Sequence, residues 1–224
     1  MKLYELVGVK KFAGLDFEDV LGTMKDYTKA GQGSSAIAVK HGSRQEVIKF
    51  WIKDSGYEEF IKFVRSNPSK HFPKFLTPPK ELSSFFLRHS EFPKKIKYVR
   101  MEALTPIETN STDVRDLNRL FWLAKDAESI DDFLDKVKRR EDRLFPHSMD
   151  TEELKEFSAL IYKLVTEALK KKKTFLDIHY GNVMKRGSTF VIIDPFANAD
   201  DMDATEDIIL KLGKYKKELK KHAS

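Results

Sequence analysis

The chain has no cysteine among its 224 residues, which excludes disulfide bridges and thiol chemistry. It also has no signal peptide and no apolar run long enough to span a bilayer. With the missing cysteines, this points to a reducing cytoplasm, away from membranes. No second histidine lies at ligand spacing from His179, so nothing suggests zinc. Internal repeats and low-complexity linkers are absent. Acidic residues are the scarcer sign, 35 against 41 Lys and Arg, leaving a net charge of +6. Lys211, Lys214, Lys216, Lys217, Lys220 and Lys221 crowd the C-terminal end. Such a surface favours anionic ligands and acidic protein partners. No nucleic-acid reading motif accompanies it, so a dedicated nucleic-acid binder is not expected.

What is present suffices for one good core or two small lobes. Hydrophobic residues make up 41% of the chain, with 17 Phe. In the second half, Val114, Leu117, Leu120, Phe121 and Ala124 recur at helical spacing, as do Ile130, Phe133, Leu134 and Val137. Asp150 with Glu153 forms a capping box for a longer helix, whose apolar face is Leu154, Phe157, Leu160, Ile161, Leu164, Val165, Ala168 and Leu169. That helix ends in Lys170 to Lys173, where cations complement its dipole or meet an acidic partner. Two further helical candidates are Phe17 to Met24 and a tail with the stripe Ile208, Leu212, Tyr215 and Leu219.

The most informative stretch follows the long helix, in Phe175-Leu-Asp-Ile-His-Tyr-Gly-Asn182 and then Val191-Ile-Ile-Asp194-Pro195. Asp177 and Asn182 are five positions apart and Asp194 is twelve further on. A phosphoryl-transfer site uses this spacing to place one carboxylate for the acceptor hydroxyl and two oxygen ligands for a metal ion. Between Asn182 and Asp194, a Gly187-Ser188 turn and the β-branched run before Asp194 predict a hairpin that brings the two together. A carboxylate ending a buried strand costs desolvation unless a cation or hydrogen bonds compensate. Taken alone, Asp194 reads equally well as a turn cap. His179 reads as a residue that shapes the loop through nearby backbone. The oxygen ligands suit magnesium.

Upstream, Gly31 and Gly33, with Ser34 and Ser35, separate two predicted strands and allow the backbone to approach phosphate closely, although a plain hairpin turn explains them too. The alternating strand Glu46 to Trp51 carries Lys49, the last position of a Val-Ala-Ile-Lys-like pattern, or else a solvated strand lysine. A helix begins near Asp54-Ser55-Gly56, with Phe60, Ile61, Phe63 and Val64 on its apolar face. Glu59, or Glu58 one step of about 100° away, is the candidate partner of Lys49; both also suit a first turn. Ile96 to Pro106 reads as a strand running into a Pro-stopped connection. Its Glu102 carbonyl and Leu104 amide are the candidates for meeting an adenine edge, with Met101 behind.

In this order, the set resembles the protein kinase-like superfamily, and most closely the early serine/threonine protein kinases of short-tailed lytic coliphages. The matching segments are 31 to 35, 47 to 49, 54 to 56, 177 to 184 and 194 to 195, and the resemblance spans about residues 28 to 197. It implies an α+β, two-lobed protein kinase-like fold. Residues 1–103 would form an N-terminal lobe of antiparallel sheet with one helix, and 104–224 a reduced, mainly helical second lobe. It implies ATP and Mg2+ as cofactors and transfer to Ser or Thr hydroxyls of proteins, including host proteins during phage infection. Asp177 would orient and deprotonate the hydroxyl, Asn182 and Asp194 would hold magnesium, and Lys49, set by Glu59, would clamp phosphates.

The chain departs from eukaryotic protein kinases at Leu176, where Arg is usual, and at Pro195, where Phe is usual. These departures, and the short stretch after Asp194, imply a constitutively assembled site whose substrate recognition comes from elsewhere. Two other readings share the motif. One is a small-molecule kinase of the aminoglycoside or choline type, for which little chain follows Asp194 to build a pocket. The other is an idle kinase-fold protein that inhibits a partner by contact.

Overall fold

The structure, a computed structural model, describes residues 26–32, 36–51, 55–81, 97–140, 144–145, 149–171 and 173–198. The Phe17 to Met24 helix candidate, Gly33, Ser34 and Ser35, and the basic stripe after Ile208 lie outside these residues. The architecture is α+β, with antiparallel sheets and helices, as expected. Two compact units divide it. One draws on the described residues of 1–54 and 73–103, the other on those of 55–72 and 104–224.

The first unit is a five-stranded sheet of β1 (Tyr27–Gln32), β2 (Ala36–His41), β3 (Glu46–Trp51), β4 (Lys80–Glu81) and β5 (Lys97–Glu102), in the order β1-β2-β3-β5-β4. Each pair is antiparallel. The expected alternation of β3 is not observed, because every residue from Glu46 to Trp51 is buried. β3 lies between β2 and β5, and a central strand covered on both faces reads as continuously apolar. Of its two polar residues, Glu46 and Lys49, the first sits opposite Glu102 in register and pairs with Arg100 and Arg44. Burial pushes the Glu46 carboxyl up, but the two guanidiniums outweigh that and hold it below the usual range. Gly31 lies within β1, beside a register shift between Lys29 and Gly31. It is therefore part of a bulged strand and not of a turn.

The second unit contains α1 (Ser55–Ser66), β6 (Thr105–Pro106), α2 (Thr112–Asp126), α3 (Ile130–Lys138), α4 (Thr151–Lys170), β7 (Thr174–Leu176), β8 (Val183–Arg186), β9 (Thr189–Ile192) and β10 (Phe196–Asn198). α4 starts as its sequence requires, with the Asp150 side chain accepting from the Glu153 amide at 2.8 Å. Leu154, Phe157, Ile161, Leu164, Val165 and Ala168 are buried along its face. α2 and α3 cover the expected segments and pack on α4. Pro106 does not simply stop a strand, because β6 pairs with β8, Thr105 opposite Lys185 and Pro106 opposite Met184. Being at the edge of the order β6-β8-β9, it leaves no central ladder bond unmade.

α1 groups with the second unit, and the chain passes from the first unit to the second between Ala103 and Leu104. α1 packs on β10, where a Cβ on Gly56 would come within 2.6 Å of the Phe196 carbonyl oxygen. The Phe196 ring sits against Phe60 and Phe63 of α1, which meet Phe72. Burying these aromatic faces on one another ties the helix to the second unit.

Candidate active site

The segment that carries Asp177 and Asn182 is shaped by short-range hydrogen bonds. β7 pairs antiparallel with β10, Leu176 opposite Phe196. The ladder extends one step further, where the Asp177 amide donates to the Pro195 carbonyl at 2.8 Å. Asp177 therefore leaves the sheet bonded to Pro195, the residue after Asp194.

A 3-10 turn at Tyr180–Asn182 then reverses the chain. His179 caps it, with Nδ1 accepting from the Gly181 amide at 3.1 Å, which matches the loop-shaping role expected of this residue. Because Nδ1 accepts, the neutral ring carries its proton on Nε2, and that atom lies 4.0 Å from Asp177 Oδ1. A Cβ added at Gly181 would sit 2.8 Å from His179 Cε1 and 2.9 Å from its Nδ1, so any other residue there must displace the His179 ring.

Asn182 closes the group. Its amide donates to the His179 carbonyl at 2.9 Å, and its side-chain Nδ2 donates to the Asp177 carbonyl at 2.7 Å. Its own carbonyl accepts from the Ile193 amide at 2.9 Å. β8 and β9 form the predicted hairpin, with Val183 opposite Ile192 and a tight turn in which Gly187 has φ 60°. The hairpin thus returns Asp194 to the residues it left at Asn182. The Asn182 side chain thus joins Asp177, and main-chain bonds hold Pro195 and Ile193, the two neighbours of Asp194, to the same pair within one unit.

The donor set fits a hard divalent cation. With Nδ2 of Asn182 committed to a carbonyl, Oδ1 is the atom of that side chain able to ligate, and Asp194 supplies a carboxylate whose Oδ1 is shut off from solvent. Magnesium commonly takes one or two protein oxygens and completes its shell with phosphate and water. Among the described residues no group of three or more His, Asp or Glu could hold a metal without such help. Asp177 differs from Asp194 in being open, its side chain 51% exposed.

Surrounding elements fix this frame. Glu59 of α1 accepts from the Thr174 hydroxyl at 2.7 Å and pairs with Lys171 at 3.3 Å, which ties α1 to the start of β7. Of the lysine run, both Lys170 and Lys171 are therefore engaged with the protein's own carboxylates. Lys185 of β8 reaches Asp113 at 2.6 Å and lies over the Phe190 ring at 4.8 Å, which ties the hairpin to α2. Sequence reasoning missed Thr174, Lys171, Lys185 and Asp113 because their pairings span long separations that no local spacing records.

The remaining expected residues lie in or next to the first unit. Lys49 is buried at the centre of β3, opposite Ala38 on β2 and Val99 on β5. Met101 is buried and bridges to Phe75. The Glu102 side chain accepts from the Lys74 amide at 2.7 Å, and the Glu102 amide donates to the Lys74 carbonyl. The neighbouring Ala103 amide is taken by the Gln45 carbonyl. Leu104 is half-buried.

No family model matches the chain. No curated protein matches it either. Among solved structures, it is similar to a spectinomycin phosphotransferase in complex with ADP and spectinomycin, at 18% identity and a TM-score of 0.36, covering 92% of this chain and 80% of that one. It is similar to an aminoglycoside phosphotransferase in ternary complex with AMP-PNP and hygromycin B, at 14% identity and a TM-score of 0.35, over 78% and 69% of the two chains. A microcompartment-associated aminopropanol kinase has 10% identity and a TM-score of 0.35, over 86% and 73%.

Proposed function

We propose that the protein is a magnesium- and ATP-dependent phosphotransferase of the protein kinase-like type, acting on hydroxyl acceptors. The reading rests on one observation: Asp177, Asn182 and Asp194 are drawn together by the Asp177–Pro195, Asn182–Asp177 and Ile193–Asn182 hydrogen bonds. In this reading Asn182 Oδ1 and the Asp194 carboxylate hold magnesium, which when bound neutralises the charge of the transferring phosphate. Asp177 orients the acceptor hydroxyl and accepts its proton. Lys49, set by Glu59, clamps the α- and β-phosphates. Gly31 and the segment through Gly33, Ser34 and Ser35 cover them, and the Glu102 carbonyl and Leu104 amide receive the adenine. Positioning and electrostatics would supply most of the rate, since phosphoryl transfer asks little covalent chemistry of the protein.

For the acceptor we favour Ser or Thr hydroxyls of proteins, host proteins of a phage among them, encountered in a bacterial cytoplasm. The openness of Asp177 supports this, because a half-exposed carboxylate is reachable by a hydroxyl carried on a large partner. The net charge of +6 supports acidic partners. The second reading, a small-molecule kinase, uses the same site and differs only in the acceptor. Incubation with γ-labelled ATP and bacterial lysate, beside Asp177→Ala, separates them by whether label enters proteins or metabolites. Normal turnover by Asp177→Ala would refute the assigned base, and no transfer by the wild type would refute the activity.

A further inference from the structure

β9 is the outer strand of β6-β8-β9, and the residue two places beyond it carries the metal-holding carboxylate in the reading above. An outer strand has one row of backbone groups without a ladder partner and is correspondingly easy to displace. Here the short segment after α1 covers that row. Three successive main-chain carbonyls, those of Lys70, His71 and Phe72, all accept from the hairpin. Arg186 gives Nη1 to Lys70 at 2.7 Å and Nη2 to Phe72 at 2.8 Å, and the Ile192 amide donates to His71 at 2.9 Å. A fourth bond runs the other way, from His71 Nδ1 to the Phe190 carbonyl at 2.9 Å. His71 is 1% exposed, and its ring lies 5.0 Å from that of Phe157 on α4.

From this clasp we infer that Arg186 and His71 are positioning residues for Asp194, which set the affinity of the site for magnesium without touching it. The inference rests on the phosphotransferase reading and adds residues to it. The physical chain is short. Arg186 ends β8, directly before the tight turn, and grips the strap on both sides of His71. His71 fixes Phe190 and Ile192, two alternate residues of β9. Ile193 is held by Asn182, so Asp194 is the first residue whose position depends on all of these bonds. Two charge-assisted bonds from one guanidinium, both to carbonyls, make Arg186 the strongest single element. Lysine offers the same charge but cannot span both carbonyls with a planar fork.

The test is a magnesium titration of ATP binding and of phosphate transfer with the full chain. Arg186→Ala should raise the half-saturating magnesium concentration about 10-fold, the usual effect of losing a group that orients a ligand. Arg186→Lys should recover part of the shift. His71→Asn, whose amide can replace the Nδ1 donor, should stay within about 3-fold of wild type, while His71→Leu moves with Arg186→Ala. A merely structural role would lower the active fraction and leave the midpoint in place, and that result, in soluble folded Arg186→Ala or His71→Leu, overturns the inference. If the wild type shows no magnesium-dependent ATP binding, both the inference and the reading beneath it fail. A normal wild type with an unshifted midpoint in the variants defeats the inference alone.

Discussion

Replacing Gly56 by Ala sets two opposing effects against each other at one atom. Alanine is the better helix former, by about 0.8–1 kcal/mol in a helix interior and less at the second residue of α1. Against this, the new Cβ would stand 2.6 Å from the Phe196 carbonyl oxygen and 3.0 Å from the Ala197 Cα. Both are backbone atoms of β10, so no side-chain rotation relieves the overlap. Relief requires α1 and β10 to separate by several tenths of an ångström, opening the Phe60, Phe63 and Phe196 packing and straining the β10–β7 ladder. Overpacking of this kind costs about 1–3 kcal/mol, so the steric effect outweighs the helical one and the net loss is about 1–2 kcal/mol. Because the Pro195 carbonyl accepts from the Asp177 amide, the strain is transmitted to the segment that carries Asp177. Hydrogen exchange should show faster exchange at the Asp177 amide, with the urea midpoint of the second unit lowered. A Gly56→Ala protein as stable as wild type, with that amide equally protected, would refute the close packing of α1 on β10.

Gly181→Ala should lower transfer more than about 10-fold while the melting temperature stays within about 2 °C, because the added methyl displaces only the His179 ring that shapes the loop. Equal activity would show that the ring is not needed there. Burial holds the His71 imidazole below its ordinary value, only partly offset by its bond to Phe190, with Glu153, Glu156 and Lys70 as the charged groups around it. The unfolded chain therefore takes up the proton first. Stability from this residue is present above about pH 6.5 and falls as the pH drops from there toward the lower folded value, at most about 1.4 kcal/mol per pH unit. Urea unfolding between pH 5 and 7.5 should show a flatter dependence in His71→Asn, and identical slopes would contradict this account. A double-mutant cycle of Lys185→Ala with Asp113→Asn should give a coupling of about 1–2 kcal/mol, since the pair is mostly but not wholly withdrawn from water. A coupling near zero would mean the hairpin is not tied to α2 through this pair.

Helices α2, α3 and α4 and the β8–β9 hairpin were legible in the sequence because each depends on nearby residues. Asp150 caps α4 from three positions away, Gly187 sets the turn within the hairpin, and the apolar repeats match one face of each helix. The Asp177, Asn182 and Asp194 group was legible for the same reason, since a 3-10 turn and a two-residue hairpin loop convert their spacing into proximity. The continuous burial of β3 was not, because its Lys49 and Glu46 imitate the polar face of an exposed strand.

What the sequence determined by itself was local: the elements, their caps and turns, and the grouping of Asp177 and Asn182 around the 3-10 turn. Tertiary structure alone decided where α1 belongs and how the segment after it meets the β8–β9 hairpin. Glu59 with Thr174 spans 115 residues, and Arg186 with Phe72 spans 114. Pairings at that range leave no periodicity in the chain, because they are selected by how whole elements bury their aromatic faces and satisfy their backbone groups.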